Sequence, residues 1–279
     1  MRLSPSLAIT IENCTLRARW QRIDKAEPAT PEADIGLRYG KTIHRALELI
    51  YTDVRSTFSI HPQPLHTPTM LNRAAKLLDN ALEEHGPLPD NLHVKARGEI
   101  LDYLLDQHAV TRDQVLATEG FINWPLRPGT NVVGYIDRID RRGNSVVAID
   151  YKSGRKRWTS DSIRAELQMP TYVIAVAKRY PWAEQIVAEI AMTGHRETAS
   201  AMWPRNDIPA LEQALTTRYL AADNLLTEGP WTPTVGDWCG SCPFKTWCPA
   251  HGGTPQPGTW NPQLEQPQPE TDDPTLLDT

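Results

Sequence analysis

The chain has 279 residues, of which 40% are hydrophobic and 23% charged, an ordinary globular balance with room for one large domain or two small ones. The net charge of −5 argues against a protein that is basic throughout, yet the whole excess lies after His251, where Glu265, Glu270, Asp272, Asp273 and Asp278 are joined by no Lys or Arg. Residues 1–250 are therefore formally neutral. No apolar run approaches membrane-spanning length and no signal peptide is read in Met1–Trp20, so the expected setting is cytoplasmic, reducing and without a membrane partner.

In chain order, residues 3–23 read as a helix capped by Ser4 or Ser6, with Leu7, Ile11, Leu16 and Trp20 on its apolar side. A loop over Glu27–Asp34 leads to a second helix at 35–52, where Leu37, Ile43, Ala46, Leu47 and Ile50 recur at helical spacing. A loop with three prolines, Ser59–Pro68, precedes two helices near 69–85 and 92–108, split by Gly86-Pro87-Leu88-Pro89. The period then changes to that of strands at 115–124, 131–140 and 145–151, with Gly143-Asn144 turning the second into the third. A helix is expected at 161–179, strands near 185–193 and 197–203, and a helix at 207–227. Trp231–Pro249 is a loop rich in Trp, Pro and Cys, and 251–279 reads as a disordered Pro-rich acidic tail. The order implies an α/β core carrying a helical insertion over about 53–110, in one domain spanning 1–250.

Chemistry concentrates in Gly134-Tyr135-Ile136-Asp137-Arg138-Ile139-Asp140 and Ala148-Ile149-Asp150-Tyr151-Lys152-Ser153-Gly154. Adjacent antiparallel strands bring Asp137 beside Asp150, and Lys152 leaves the same strand face as Asp150. Paired carboxylates repel unless a cation neutralises them, and hard oxygen donors suit Mg²⁺ or Mn²⁺. Basic residues crowd the same region: Arg138, Arg141, Arg142, Lys152, Arg155, Lys156, Arg157 and Arg164 stand against Asp140, Asp150 and Asp161. Such a local patch bears on phosphate binding more than net charge does.

The two segments resemble the nuclease signature of RecB-like PD-(D/E)XK enzymes. The resemblance implies a restriction-endonuclease-like core, a mixed central sheet flanked by helices, with Asp137, Asp150 and Lys152 catalytic. It implies metal ligation by His44, from Gly40-Lys41-Thr42-Ile43-His44, together with Asp137, Asp150 and Tyr151. It adds Gln168 and Tyr172, spaced to share a helix face, and Glu119 as a further acid near the site. Arg155, Lys156 and Arg157 are expected to contact DNA phosphates, with Trp158 stacking a base or packing beneath its loop.

Cys239, Cys242 and Cys248 form C-x₂-C-x₅-C, and Cys14 lies near the other end of the chain. Four thiolates are the number a tetrahedral zinc or a cubane cluster takes, and a second C-x₂-C knuckle is lacking. The pattern resembles the iron–sulfur subgroup of the same nucleases, which includes AddB-type and CRISPR-associated RecB-like exonucleases. It implies a 4Fe–4S cluster tying the N-terminal helical region to the last loop. Asn13-Cys14-Thr15-Leu16-Arg17 departs from the subgroup's Cys-Pro-Leu-Arg at Thr15. The expected activity is a metal-dependent DNA exonuclease acting on single strands or ends in recombination, repair or phage DNA processing. The alternatives are an idle DNA-binding or scaffold subunit and an endonuclease on the same fold. With no nucleotide-binding motif visible, unwinding would fall to a helicase or recombination partner, reached through the tail.

Overall fold

The computed structural model describes residues 1–28, 35–58, 61, 63–107 and 110–263. Parts of the loops expected at Glu27–Asp34 and Ser59–Pro68, the end of the helix expected at 92–108, and the tail beyond Gln263 lie outside the described residues. Residues 1–250, expected as one domain, are shared between two compact units: Met1–Ser6 with Ala33–Leu220, and Leu7–Glu32 with Ala221–Thr279.

The first unit is built on three strands, β2 (Val115–Arg127), β3 (Thr130–Arg142) and β4 (Ser145–Lys152). The β2–β3 turn is Pro128-Gly129, with Gly129 at φ 81°, and the β3–β4 turn begins with Gly143 at φ 61°, two backbone conformations that glycine adopts at little cost. β4 runs parallel to β5 (Gln185–Met192), which pairs antiparallel with β6 (Glu197–Pro204). A parallel neighbour needs a crossover, supplied here by α6 (Ser160–Ala165) and α7 (Gln168–Arg179). A short first strand, β1 (Arg2–Leu3), pairs parallel with β3.

Helices cover both faces of this mixed sheet. On one face, α3 (Ile35–Thr57), α4 (Pro68–His85) and α5 (Asp90–Asp106) bury Ile43, Leu47, Ile50, Leu78 and Ile100 against Val147 and Ile149 of β4. On the other, Met169, Tyr172 and Val176 of α7 pack on Val146, Ala148 and Ile190. β4 is thus buried on both sides, which explains its nearly unbroken apolar run. Among the described residues no helix is long and apolar enough to cross a membrane.

The helices expected at 3–23 and 161–179 are each two. The first divides into α1 (Pro5–Asn13) and α2 (Thr15–Arg22) at Cys14, whose extended backbone caps α2 while its sulfur accepts from the Arg17 N–H at 3.5 Å. The second breaks after Glu166, because Pro170 would drive its ring into the Glu166 carbonyl one turn earlier in a continuous helix. Gln168 consequently opens α7.

The last long helix is α8 (Ile208–Glu228). In the second unit, Leu16 and Trp20 of α2 form a small core with Cys14 and Phe244, flanked by Trp238, Trp247 and Trp260. Trp260 corrects the boundary of the expected disordered tail. Its carbonyl accepts from the Trp20 indole at 2.8 Å, its N–H donates to Asp24, and Arg19 lies over its ring. One large aromatic holds a stretch whose average composition reads as disordered.

Candidate active site

β3 continues toward its N-terminal end beyond the last residue of β4, and the candidate site lies at this fork. Register pairs Arg138 with Ile149, so Asp137 comes beside Asp150, as the hairpin pattern required. The Tyr151 backbone N–H donates to Asp137 Oδ2 at 2.8 Å. From α3, His44 Nδ1 approaches the same oxygen at 3.2 Å, and its ring meets the Tyr151 ring edge-on at 6.0 Å.

Asp150 is buried. Lys152 Nζ stands 2.7 Å from Asp150 Oδ2 as an ion pair. Gln168 joins the rest: its Nε2 donates to Asp150 Oδ1 at 2.9 Å and to the Tyr172 hydroxyl at 2.7 Å, and its Oε1 accepts from Lys152 at 3.3 Å. The break before α7 allows this, since Gln168 sits at the helix start and Tyr172 one turn on.

Burial raises the Asp150 carboxyl to about 6, and nearby Asp137 pushes in the same direction. Burial alone would lower the His44 imidazole, but Asp137 more than offsets this and the group is raised to about 9. Glu119 is raised to about 7 by burial and then by Asp137 and Glu48. Glu119 lies between the pairs Thr118–Arg138 and Gly120–Ile136, so it faces Asp137 across the two strands. Its φ of 46° is left-handed, a strained conformation for a residue with a side chain, and it turns the carboxyl out of the regular pleat. A cleft of about 510 Å³ opens between α3 and β2, lined by Lys41, His44, Arg45, Glu48 and Glu119.

The basic stretch does not form one patch. Arg138 is buried, Arg142 pairs bidentately with Glu189, Arg164 donates to the Met202 carbonyl and Arg157 pairs with Glu197. Arg155 and Lys156 are exposed on the loop after β4. Trp158 is half-buried against the α7-side core, with Lys156 Nζ 3.6 Å from the centre of its ring.

In the second unit, Cys14, Cys239, Cys242 and Cys248 line a single cavity together with Trp20, Trp238 and Phe244. All four cysteines are free thiols. Burial raises the Cys242 and Cys248 thiols above their ordinary value, and the Cys14 sulfur adds to this. Among the described residues, no group of three or more His, Cys, Asp or Glu side chains is closed around one point at metal-binding range. At the carboxylate site, His44 and Lys152 lie directly against the acids instead.

Comparison with known proteins bears on this arrangement. No curated protein matches the chain. Among solved structures, a "Putative exonuclease" from Eubacterium rectale aligns with a TM-score of 0.46 at 12% identity over 86% of each chain. SSO0001 aligns with a TM-score of 0.36 at 12% identity, over 90% of this chain and 86% of the other. A family model described as the PD-(D/E)XK nuclease superfamily matches residues 2–249, a span that holds every residue of the carboxylate site. The chain belongs to the PD-(D/E)XK nuclease superfamily.

Proposed function

We propose that the protein is a divalent-metal-dependent deoxyribonuclease, acting as an exonuclease on single-stranded DNA or DNA ends. The observation that carries this reading is the convergence of Asp137, Asp150 and Lys152 at one strand fork, with Gln168 bonded to both Asp150 and Lys152. The donor set fits Mg²⁺ or Mn²⁺: the Asp137 and Asp150 carboxylates stand side by side, with the His44 imidazole against Asp137 and Tyr151 between the strands' acids. When bound, such an ion supplies Lewis acidity toward a phosphate oxygen and acidifies water.

The chain's own residues do the remainder. Asp137 is fixed by the Tyr151 N–H, and Asp150 by the Gln168 amide. The Lys152 ammonium, held by Asp150 and Gln168, is placed to orient the attacking water and to offset negative charge gathering on the phosphorus centre. Tyr172 anchors the Gln168 amide. Arg155 and Lys156 supply phosphate contacts. Recombination, repair or phage DNA processing is the setting this chemistry serves, with unwinding left to a partner.

The cysteine cavity fits a 4Fe–4S cluster by its donors, four free thiols lining one cavity. Its role would be to hold the second unit together.

The test is cleavage of end-labelled single- and double-stranded DNA with Mn²⁺, alongside a circular single strand. Asp150→Ala and Lys152→Ala should each abolish cleavage with melting behaviour retained, and the circle should resist. Full activity in Asp150→Ala would refute the site, and cutting of the circle at the linear rate would make the enzyme an endonuclease.

A further inference from the structure

Phe121 and Tyr135 face each other directly across β2 and β3, with ring centroids 5.2 Å apart and planes tilted by 47°. They are 47% and 56% exposed, an unusual surface for two large aromatics in contact. Trp182, also exposed, already carries Arg141 over its ring.

The neighbours of the pair fix its face. Ile122 and Ile136 pack into the α7-side core, and Trp124 meets Tyr219 of α8 and Lys178 of α7. Phe121 also borders a cleft with Ala175 and Lys178 of α7, and strand alternation turns the Phe121 and Tyr135 rings to the face opposite Ile122 and Ile136. That is the face on which α3 lies, where Thr52 is bonded to Thr118. Left-handed Glu119 marks the point on β2 where the buried side of the strand changes, and it lines the cleft beside His44. Phe121 follows Glu119 by two residues and Tyr135 precedes Asp137 by two, so each aromatic lies roughly 7 Å along its strand from an acid of the site. Exposed Lys41 lines the same cleft from α3.

We propose that the Phe121–Tyr135 pair is a stacking platform for an unpaired base of single-stranded DNA, next to the carboxylates that cut the strand. The proposal rests on the nuclease reading above and adds a substrate preference to it. Aromatic faces stack any base, which suits a strand entering regardless of sequence, whereas bases inside a duplex are already stacked and cannot reach the platform. The tyrosine hydroxyl keeps one end of the pair wet while its ring face remains available. Lys41 would hold a phosphate of the same strand by charge.

The experiment compares Kd for a labelled oligothymidylate and for an abasic strand of equal length and charge, without added divalent metal. Wild type should bind the oligothymidylate more tightly. Phe121→Ala/Tyr135→Ala should weaken that binding by about tenfold or more and leave the abasic strand unchanged, with the fold retained and the melting temperature lowered only by the loss of one half-exposed cross-strand pair. Phe121→Leu/Tyr135→Leu keeps apolar area without a π face and should lose most of the same affinity. Equal losses on both strands, no loss on either, or full affinity in the leucine variant would each overturn the platform while leaving the nuclease reading intact. Wild-type protein that neither binds nor cleaves DNA would overturn the nuclease reading and the platform with it.

Discussion

Arg138 shows how single residues support the site from behind. It leaves β3 on the face opposite Ile139, is 1% exposed, lies 3.7 Å from the Tyr51 ring centre, ion-pairs with Asp140 at 3.1 Å and donates to the Tyr151 hydroxyl at 3.1 Å. Tyr151 is therefore held at its hydroxyl by Arg138, while its N–H holds Asp137. Removing the guanidinium strands a buried carboxylate whose remaining cation, Arg142, is 3.9 Å away. Arg138→Met should destabilise the fold by about 3–5 kcal/mol, and adding Asp140→Leu should recover much of that, because both charges then leave together. Urea denaturation of the two variants measures this, and equal stability of the single and double variants would mean that Asp140 does not depend on Arg138. The convergence of Asp137, Asp150 and Lys152 was legible in sequence through residue type and strand spacing, and Gln168 and Tyr172 entered through the family resemblance; the structure brings Gln168 to Asp150, Lys152 and Tyr172. The burial of Arg138 was not legible. From sequence it counts as one more charge in a basic run, and only the packing of α3 and α5 over the sheet shows that this arginine is core.

At the scale of elements, the strand irregularity beside the site has a measurable signature. Gly120 follows left-handed Glu119, and a Cβ there would come within 2.9 Å of Ile139 Cδ1. Gly120→Ala should cost about 1 kcal/mol, near the low end for overpacking because the contact is the tip of a side chain. Adding Ile139→Val removes the Cδ1 atom and should restore more stability than Ile139→Val alone would predict. Additive effects of the two changes would show that the alanine methyl does not meet Ile139. The same region marks how far element reading reached. Strands β2 to β6 and the helices of the first unit follow from period and turn chemistry, since Gly129 and Gly143 sit where the turns require them. The breaks at Cys14 and Glu166 went unread, although Pro170 carried a signal for the second in its clash one turn back. Two-residue β1 is too short for any period to register. The Phe121–Tyr135 pair was also hidden, because an alternating strand pattern shows that two sets of residues differ in burial without showing what stands before the exposed set.

At the scale of the whole molecule, two segments far apart in sequence, Leu7–Glu32 and Ala221–Thr279, make up the second unit. Cys14 and Cys248 line one cavity although 234 positions separate them, and Leu16, Trp20 and Phe244 form a buried cluster with Cys14. Small units are commonly reinforced by metal or disulfide. If the four thiols hold a cluster, its binding and the folding of this unit are one equilibrium, since the unfolded chain offers no preformed site. Cys14→Ser should therefore lose iron and lower the melting temperature together, and anaerobically purified wild-type protein should be brown with absorbance near 400 nm that the variant lacks. Arg138→Met gives the contrasting case, a variant destabilised elsewhere that should keep its iron under native conditions. Iron content by mass spectrometry separates the two. A Cys14→Ser protein with full iron would remove Cys14 from the ligand set, and a wild-type protein with one zinc and no iron would replace the cluster with a zinc site. Neither result would touch the carboxylates, because Asp137, Asp150 and Lys152 are positioned by β3, β4 and α7 of the first unit alone.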